Sequence, residues 1–270
     1  MKQKMYTAEE CAVPPFKEFA IGVAMRSGMI LMRNFHDAIK TAARKKSRRE
    51  VVCDSDCEVD AYIRYKVQEQ YPRHNFISEE GKTVDKGSRY TWVVDPLDGT
   101  LNYTIGNPFF TVSITVLEDN EPIIGVIYAP YMGEMFVAER RRSARLNERN
   151  MRVSDERKLS DSVVSLSYFP RDKKARSKFM KMGARIEDHA RSIRHLGCTS
   201  LELAYIACGR LEGQIIAPPL RMWDIAAGML LVQVAGGRVT NFDGKAWAGV
   251  RQGFVASNGK IHNQLLKLVS

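Results

Sequence analysis

The stretch "WVVDPLDGTLNY", residues 92–103, places two acids where an apolar strand ends. Three apolar residues run into Asp95, and Asp98 follows three positions later beside a glycine and a threonine. Pro96 fixes φ and has no N–H to donate, so the strand is predicted to stop there, and Gly99 allows a tight turn. Both carboxylates would then converge, although Asp, Pro and Gly are also the residues of an ordinary turn.

The whole chain has 270 residues, of which 44% are hydrophobic and 27% charged. That length predicts two domains or one large α/β unit, and the composition is typical of globular proteins rather than disordered chains. No apolar run approaches the roughly 20 residues that cross a bilayer, and the first residues lack the apolar core of a signal peptide. The five cysteines are scattered and odd in number, which favours a reducing compartment. We therefore expect a cytoplasmic protein without membrane contact.

The one unusual bulk property is a formal net charge of +10. Basic residues cluster in the runs 43–50, 139–152 and 171–178. Such runs would bind nucleic acid or attract an anionic substrate, but acids interrupt them and no series of aromatic residues is interleaved for base stacking. A solvated basic face is therefore favoured, and nucleic-acid binding stays open as the alternative.

Hydrophobic periodicity divides the chain into two halves. Apolar residues keep to one helical face over 16–35, and a second helix is predicted near 57–70. Runs rich in β-branched and aromatic residues then predict an antiparallel meander with strands at 91–95, 110–118, 122–130 and 134–139. Later, strand-like pieces at 163–167, 192–196, 212–217, 238–241 and 253–257 alternate with helix-like pieces at 172–184, 199–208, 223–235 and 258–268. We therefore expect one domain over 1–270, with an α+β lobe at 1–155 and an α/β lobe at 156–270 that share a core.

Acids occupy three further junctions between predicted elements. Glu79 and Glu80 follow the short apolar strand in "NFISEEG", Asp56 closes "VVCDSD", and Asp224 begins a helix in "RMWDIAAG". Each has an ordinary explanation taken singly; Asp224, for example, would serve as a helix N-cap. Brought together, carboxylates repel one another by about 3 kcal/mol per pair at roughly 5 Å and an effective dielectric of about 20, so cations must hold them. Oxygen donors without a His or Cys cluster select Mg²⁺ or Mn²⁺, and two such ions would form a clamp for phosphoryl transfer to water.

The segment after Asp98 has the properties of a phosphate site. If Gly99, Thr100 and Leu101 begin a helix, their amides point outward at its positive end and are ready to receive an anion. Thr100 would also orient a water, with Asp56 accepting its hydroxyl. The sequence contains no Walker glycine loop, no HExxH pair and no nucleophile-elbow serine, which argues against the enzyme classes that depend on them.

The chain resembles the inositol monophosphatase family, the magnesium-dependent, lithium-sensitive phosphatases. "DPLDGTLNY" is similar to the family's DPxDGTxNF signature, "WDIAAGMLLVQVAGGRVTNFDG" (223–244) resembles its WDxAAG…EAGG signature, and "ISEEG" resembles its GEE element. The three motifs occur in the family's order and span most of the chain. The resemblance implies a layered αβαβα sandwich of the inositol monophosphatase and fructose-1,6-bisphosphatase type, and a homodimer.

The resemblance also implies a role for each acid. Glu79, Asp95 and the Leu97 carbonyl would hold one Mg²⁺, while Asp95, Asp98 and Asp224 would hold a second. A weaker third ion would lie near Glu79, and Mn²⁺ would substitute for Mg²⁺. The catalytic residues would be Asp56, Thr100 and Glu79, and the substrate-binding residues would be Gly99, Thr100, Gly197, Cys198, Thr199, Arg221 and Asp224. The basic stretch around Lys45 would correspond to a mobile loop near the site.

One departure from the family pattern concerns the substrate. Seven residues before Asp224, inositol-selective members carry a glutamate that contacts sugar hydroxyls, and this chain has Ala217. Arg221, three residues before Asp224, would meet a second phosphate or another anionic group. A free inositol ring therefore loses one expected partner.

Two loops also depart from the family. The segment "GCTS" (197–200) matches the family's substrate-side loop only approximately. In the hairpin of 138–154, Arg141, Ser143 and Glu148 replace the family's glycines, which removes the residues that its usual turns would use. These changes concern the substrate side and the hairpin rather than the acids.

The leading hypothesis is a Mg²⁺-dependent phosphomonoesterase that hydrolyses a small phosphorylated polyol, sugar or nucleotide by attack of a metal-activated water. Its catalysis would depend chiefly on electrostatic stabilisation of the transition state. Inositol 1-phosphate ranks first as substrate, fructose 1,6-bisphosphate second and 3′-phosphoadenosine 5′-phosphate third. A second hypothesis is that the chain acts chiefly as a regulatory partner in a nucleic-acid or transcription complex, using its basic surface on the same scaffold.

Overall fold

The computed structural model describes residues 16–38, 44–45, 51–52, 54–167, 173–247, 249 and 252–269. Of the basic run 43–50, only the backbone of Arg44–Lys45 is described, so the expected mobile loop around Lys45 lies largely outside the described residues. The helices are α1 (Phe16–Ala38), α2 (Asp54–Gln70), α3 (Thr100–Thr104), α4 (Lys173–Glu187), α5 (Thr199–Ala207), α6 (Met222–Val234) and α7 (His262–Val269).

The strands fall into two groups along the chain. The first half contains β1 (Arg44–Lys45), β2 (Val51–Val52), β3 (Asn75–Ser78), β4 (Tyr90–Asp98), β5 (Thr111–Glu118), β6 (Glu121–Ala129), β7 (Glu134–Glu139), β8 (Ala144–Leu146) and β9 (Arg149–Asn150). The second half contains β10 (Val163–Ser167), β11 (Ser192–Arg194), β12 (Gly213–Ile216), β13 (Arg238–Asn241) and β14 (Phe254–Ser257). The predicted alternation of strands and helices after residue 155 is confirmed.

Two large sheets organise the part of the chain that the structure describes. One has seven strands in the order β3-β4-β5-β6-β7-β8-β9, and the other has five in the order β11-β10-β12-β14-β13. The predicted antiparallel meander is confirmed, because β4, β5, β6 and β7 pair antiparallel in succession. β3 joins it in parallel beside β4, so the carboxyl ends of these two strands meet at one edge.

Helices and sheets alternate in five layers, as predicted. The first core lies between the pair α1 and α2 and one face of the seven-stranded sheet, with Phe16, Ile63, Trp92 and Ile114 among its buried members. The second fills the middle of the molecule, where α5 and α6 separate the two sheets. The third lies between the outer face of the five-stranded sheet and α4 and α7. This is an αβαβα sandwich in which residues from both halves of the chain build the middle core.

Side-chain alternation along β6 explains why this sheet is covered on both faces. Ile124 and Val126 point into the first core, whereas Ile127 and Ala129 point into the middle core. Gly125 lies where α6 crosses the sheet, and a Cβ there would come within 3.0 Å of the Ala227 carbonyl oxygen. The middle layer therefore packs directly onto the sheet backbone.

The structure corrects the predicted end of β4. The strand continues past Pro96 to Asp98, because its pairing with β5 shifts register between Asp95, opposite Ser113, and Asp98, opposite Thr111. One extra residue on β4 forms a bulge. A bulge tolerates a proline because the bulged residue makes no ladder hydrogen bond, so the missing proline N–H costs nothing there. The acids thus lie on either side of a bulge inside the strand, not beyond its end.

Several turns place residues other than glycine in the left-handed region. Asp119 and Asn120, with φ of 50° and 67°, form the predicted turn between β5 and β6. Asn147 and Glu148, with φ of 45° and 69°, connect β8 to β9, and Arg141 has φ 62°. The hairpin of 138–154 is therefore formed without the family's glycines.

None of the helices in the described part of the chain has the length and hydropathy needed to cross a bilayer.

Candidate active site

The bulge of β4 fixes the position of Asp95. Its side chain is buried, and the backbone N–H of Leu97 donates to its Oδ1 at 3.1 Å. This contact closes the bulge over Pro96, so the same residues that shift the strand register also orient the carboxylate.

Two other carboxylates come to Asp95 from separate elements. Glu79 follows β3, whose last residue Ser78 lies beside Val94, and the Glu79 N–H donates to the Val94 carbonyl at 3.3 Å. Asp224 lies in the first turn of α6. One carboxylate oxygen each from Glu79, Asp95 and Asp224 lie within 4.8 Å of one another, so among the described residues these three could together hold a metal ion.

The N-cap reading of Asp224 is corrected by the structure. Arg221 is the N-cap of α6 and Asp224 is the third residue of the helix. The Arg221 N–H donates to Asp224 Oδ2 at 2.8 Å, and the Asp224 N–H donates to the Arg221 carbonyl at 3.2 Å. The Asp224 side chain thus bonds back to the cap, which holds one of its oxygens in place.

The electrostatics of these acids favour a bound cation. Burial, followed by the charges of Glu79, Asp98 and Asp224, raises the pKa of Asp95 well above its ordinary value. Part of Asp224 remains exposed, but its carboxylate is enclosed by protein atoms, and burial raises its pKa to about 7. Acids held together in this way lower their free energy by binding protons or a cation. Because the donors are all oxygens, the cluster suits a hard divalent ion such as Mg²⁺ or Mn²⁺.

Asp98 lies outside the cluster of three and is held from the second half of the chain. The backbone N–H and the hydroxyl of Ser200 both donate to Asp98 Oδ2 at 2.6 Å. Burial raises the pKa of Asp98, and these bonds from Ser200 oppose the rise. The predicted ligand therefore has one oxygen committed to α5, and the role of Asp98 as a ligand stays a prediction.

Asp56, Thr100 and the Leu97 carbonyl form a second group beside the acids. The Thr100 hydroxyl lies 3.2 Å from Asp56 Oδ1 and 3.0 Å from the Leu97 carbonyl oxygen. Its single proton can be donated to only one of them at a time. When the proton goes to the buried Asp56, the Thr100 oxygen keeps its lone pairs for a water, which is the predicted arrangement.

Gly99 is required where α3 begins. It is the N-cap of α3 with φ 89°, and a Cβ there would lie 2.6 Å from the Phe109 carbonyl oxygen. A side chain is excluded by both the backbone conformation and the space. The expectation that a helix begins at this point is confirmed, since α3 starts at Thr100.

The predicted substrate-side residues lie at the start of α5. Gly197 has φ 73°, Cys198 is the N-cap of α5, and Thr199 is its buried first residue. The Cys198 thiol donates to the Asp98 carbonyl at 3.4 Å, and burial raises its pKa well above the ordinary value. The thiol therefore stays protonated, which makes it a small packing group rather than a nucleophile.

Ala217 and Arg221 lie in and at the end of the segment that connects β12 to α6. Ala217 is buried just after β12, and its N–H donates to the Ser167 carbonyl at 3.0 Å. Arg221 is exposed at the start of α6, with its guanidinium 5.9 Å from the ring of Trp223. Where inositol-selective members have a glutamate, this chain thus has the small apolar side chain of Ala217. The exposed cation of Arg221 lies four residues later.

Three residues that support the site were missed by reading the sequence: Asn102, Ser200 and Glu202. The Asn102 amide donates to the carbonyls of Leu196 and Phe109, both at 2.8 Å, and so joins α3 to the loop before α5. Fully buried Glu202 accepts the Leu196 N–H at 2.7 Å and the Ser167 hydroxyl at 2.6 Å, and burial raises its pKa to about 7. Glu202 had a visible signal, a lone acid within the apolar helix "LELAYIA". Asn102 and Ser200 had none, because the contacts by which they join the two halves, to Leu196 and Asp98, are distant in sequence.

Comparison with known proteins decides the family. The sequence profile of the inositol monophosphatase family matches residues 13–270. This chain belongs to that family. The fructose-1,6-bisphosphatase/inositol-1-monophosphatase of Thermotoga maritima is similar, with 33% identity over 253 residues, 94% of this chain and 95% of that protein.

Other members of the inositol monophosphatase family are named for a different role. The Nus factor SuhB of Xylella fastidiosa is 35% identical over 230 residues, 85% of this chain and 83% of that protein. The crystal structure of the extragenic suppressor protein SuhB from Bartonella henselae has a TM-score of 0.89 to this chain at 31% identity, covering 94% of this chain and 97% of the other. The family and these relatives indicate a phosphatase scaffold, and the names differ on how it is used.

Proposed function

We propose that this chain is a Mg²⁺-dependent phosphomonoesterase that hydrolyses a small phosphorylated polyol such as inositol 1-phosphate. The observation that carries the proposal is the convergence of Glu79, Asp95 and Asp224, from three separate elements, beside the Asp56–Thr100 pair. A purely structural cluster would leave the buried Asp95 carboxylate facing two other carboxylates with no compensating charge.

The metal ligands would be Glu79, Asp95, the Leu97 carbonyl, Asp98 and Asp224, holding two or three ions. Bound there, Mg²⁺ would lower the pKa of a water and neutralise charge that develops on the phosphate oxygens. The chain's own residues would orient the reactants. Thr100 donates its hydroxyl proton to Asp56 and would accept a hydrogen bond from the attacking water. The proton that this water loses would pass through the Thr100 hydroxyl to the Asp56 carboxylate, with Glu79 as the third proposed catalytic residue. The amides at Gly99 and Thr100 would receive the phosphate oxygens.

Inositol 1-phosphate is proposed first among substrates, fructose 1,6-bisphosphate second and 3′-phosphoadenosine 5′-phosphate third. The Thermotoga maritima relative carries both of the first two activities in its name. Ala217 removes an expected partner for the inositol ring, and Arg221 offers a charge to a second phosphate. Gly197, Cys198 and Thr199 would form the opposite wall of the substrate site.

The test is a phosphate-release screen over these three esters with and without Mg²⁺ and Li⁺. We expect Mg²⁺-dependent release from at least one ester, inhibition by Li⁺, and loss of release in Asp95→Asn. Normal turnover by Asp95→Asn would show that the site is assigned wrongly. A homodimer is also proposed, and light scattering on the purified chain would measure its mass.

A second candidate function is a regulatory partnership in a transcription complex. Two observations favour it: the relative named Nus factor SuhB and the net charge of +10. It predicts RNA binding that persists at moderate salt and is retained by Asp95→Asn, because a basic surface does not need the acids. Release of phosphate from none of the three esters, together with such binding, would favour this role over the enzymatic one.

A further inference from the structure

The loop that carries Glu79 is held by an arginine on α2. The chain leaves β3 after Ser78 and returns to pair with it again at Val84, whose N–H and carbonyl both bond to Phe76 at 2.8 Å. Between these points, Arg64 Nη1 donates to the Lys82 carbonyl at 2.8 Å. The loop is therefore fixed at its base by the sheet and near its tip by Arg64.

Gly81 in this loop leaves the space that the arginine fills. A Cβ at Gly81 would lie 1.8 Å from Arg64 Nη2 and 2.7 Å from Asp60 Oδ2. The guanidinium also lies 4.4 Å from the centre of the Phe76 ring. The loop backbone thus closes over the guanidinium, and a shift of Arg64 must shift the loop.

Asp60 anchors the arginine from below. Its Oδ2 accepts from both Nε and Nη2 of Arg64 at 3.3 Å, and the two side chains are 10% and 19% exposed. The other carboxylate oxygen, Oδ1, is buried and has no hydrogen-bond partner. Separating the Asp60 carboxylate from the Arg64 guanidinium would leave a buried charge without a partner, which is costly in free energy. The ion pair is therefore expected to keep this one geometry. Asp60 lies one helical turn after Asp56, so the same side of α2 supports both groups of the site.

We propose that Arg64 is a positioning residue that sets the Glu79 loop for binding the divalent ion. This inference rests on the proposed function, because it assumes that Glu79 is a ligand. Arg64 does not contact the reacting atoms in this account; it restricts the loop so that the Glu79 carboxylate meets those of Asp95 and Asp224 without a further loss of conformational freedom.

The test compares Mn²⁺ binding, measured by electron paramagnetic resonance, in the wild type and in Arg64→Met. Loss of a group that supports a ligand typically weakens metal binding by about 10-fold or more, and we expect that change for the tightest Mn²⁺. The Mg²⁺ concentration for half-maximal phosphate release should rise by a similar factor, while kcat at saturating Mg²⁺ stays within about twofold. Arg64→Lys should be intermediate, since an ammonium cannot bridge Asp60 and Lys82 in the same way.

The matched control is Lys66→Met, which removes a charge from the same helix at an exposed pair with Glu69. It should leave Mn²⁺ binding unchanged. Because Arg64→Met strands the charge of Asp60, the double variant Asp60→Asn/Arg64→Met removes both charges and should show the same loss of Mn²⁺ affinity with a smaller loss of thermal stability.

The outcomes separate this inference from the proposed function. Unchanged Mn²⁺ binding in both Arg64 variants, alongside loss of binding in Glu79→Gln, would overturn the positioning role alone. Unchanged binding in Glu79→Gln would overturn the ligand assignment itself. A fall in kcat and in metal affinity by the same factor, with a matching loss of the folded fraction, would show that Arg64 only stabilises the fold.

Discussion

The Asp95 carboxylate is buried and faces three other acids, so keeping it ionised without a cation is costly. In the proposed function, the repulsion that would make Asp95 a strong metal ligand is also the repulsion that destabilises the metal-free protein. A substitution that removes the charge should affect stability and metal binding in opposite directions.

We expect Asp95→Asn to stabilise the metal-free protein at pH 8 while abolishing its response to Mg²⁺. The free energy of unfolding of the metal-free protein should rise, because burial and the neighbouring acids make it costly to keep Asp95 ionised. Phosphate release should fall at least about 100-fold, because the electrostatic contribution of a bound ion is worth several kcal/mol. Urea unfolding with EDTA or with Mg²⁺ measures the first effect.

The control for this substitution is Asp155→Asn, an exposed acid with 76% of its side chain accessible. It should change neither stability nor the Mg²⁺ response by more than about 0.5 kcal/mol. A metal-free Asp95→Asn protein that is less stable than the wild type would contradict the view that repulsion dominates at this residue.

The raised pKa of Asp224, about 7, predicts how stability depends on pH without metal. The folded protein holds a proton there that the unfolded chain loses near pH 4, so metal-free stability should fall as pH rises from about 4 to 7. A divalent ion replaces that proton, so the rise in melting temperature on adding Mg²⁺ should be small at pH 5 and large at pH 8. Melting curves at both pH values, with EDTA or Mg²⁺, test this; an equal shift would argue against it.

At the scale of single residues, the sequence revealed the acids but not their supports. Asp95 and Asp98 stood out because acids rarely follow a buried strand, and Asp224 because it opens an apolar helix. Ser200 has no such mark, yet it holds Asp98 through two hydrogen bonds. The bend of the chain that brings α5 to β4 is a property of the packed layers, which no local pattern encodes.

At the scale of elements, the turn between β8 and β9 carries strain. Asn147 and Glu148 both have positive φ, which is the conformation of a two-residue hairpin turn that prefers Asn-Gly. Glu148 occupies the glycine position. The hairpin forms because β8 pairs with β7 on one side and with β9 on the other, and that pairing outweighs the cost of the turn.

Glu148→Gly should therefore stabilise the protein by about 0.5–1 kcal/mol, because glycine adopts this conformation without steric cost. Arg145→Gly, in the extended strand β8 of the same hairpin, should instead destabilise it by a similar amount. Chemical denaturation of both variants gives the comparison. Equal effects of the two glycines would mean that the turn is not strained.

The start of α7 is joined to the five-stranded sheet by a buried histidine. The Thr240 hydroxyl donates to the Asn241 carbonyl at 2.8 Å, so it must accept from His262 Nε2 at 2.9 Å. His262 Nδ1 then accepts from the Ser257 hydroxyl at 2.8 Å. The ring is neutral in this arrangement, and burial lowers its pKa to about 4.

His262 should make the protein sensitive to acid. Its folded pKa lies below the unfolded value of about 6.5, so its contribution to stability is present above that pH and is lost as pH falls towards 4. His262→Gln should cost about 1–3 kcal/mol at pH 7 through unpaired hydroxyls and should weaken the dependence on pH between 6.5 and 4. His189→Gln, at an exposed position after α4, serves as the control; measured unfolding free energies that change equally in both variants would refute this role.

Element boundaries were predictable wherever periodicity was clear. The meander and the later alternation follow from residue pattern alone. The bulge of β4 was not predictable, because a proline normally ends a strand. Only the pairing with β5 shows that β4 has one extra residue between Asp95 and Asp98 and continues past Pro96. α2 likewise begins at Asp54, earlier than its apolar pattern indicated, since its first turn is acidic rather than apolar.

At the scale of the whole molecule, the site joins the two halves of the chain. Glu79 and Asp95 come from the seven-stranded sheet, whereas Asp224 belongs to α6 in the middle layer. Periodicity predicted strands and helices in each half but could not show that α5 and α6 lie between the sheets. α5 and α6 are covered by one sheet on each side, and this double burial arises only when the layers are assembled.

The close approach of Gly125 to Ala227 has a consequence for how activity can be tuned from a distance. A methyl group on Gly125 would meet the helix backbone at 3.0 Å, and contacts of this kind make the neighbour give by a few tenths of an ångström. Asp224 lies one turn before Ala227 on α6. Gly125→Ala should therefore displace α6 and move Asp224 relative to the other acids, which would weaken Mg²⁺ binding several-fold although no acid is changed. Calorimetric titration of this variant with Mg²⁺ would measure the effect. An unaltered affinity would mean that α6 adjusts locally at Ala227 without moving Asp224.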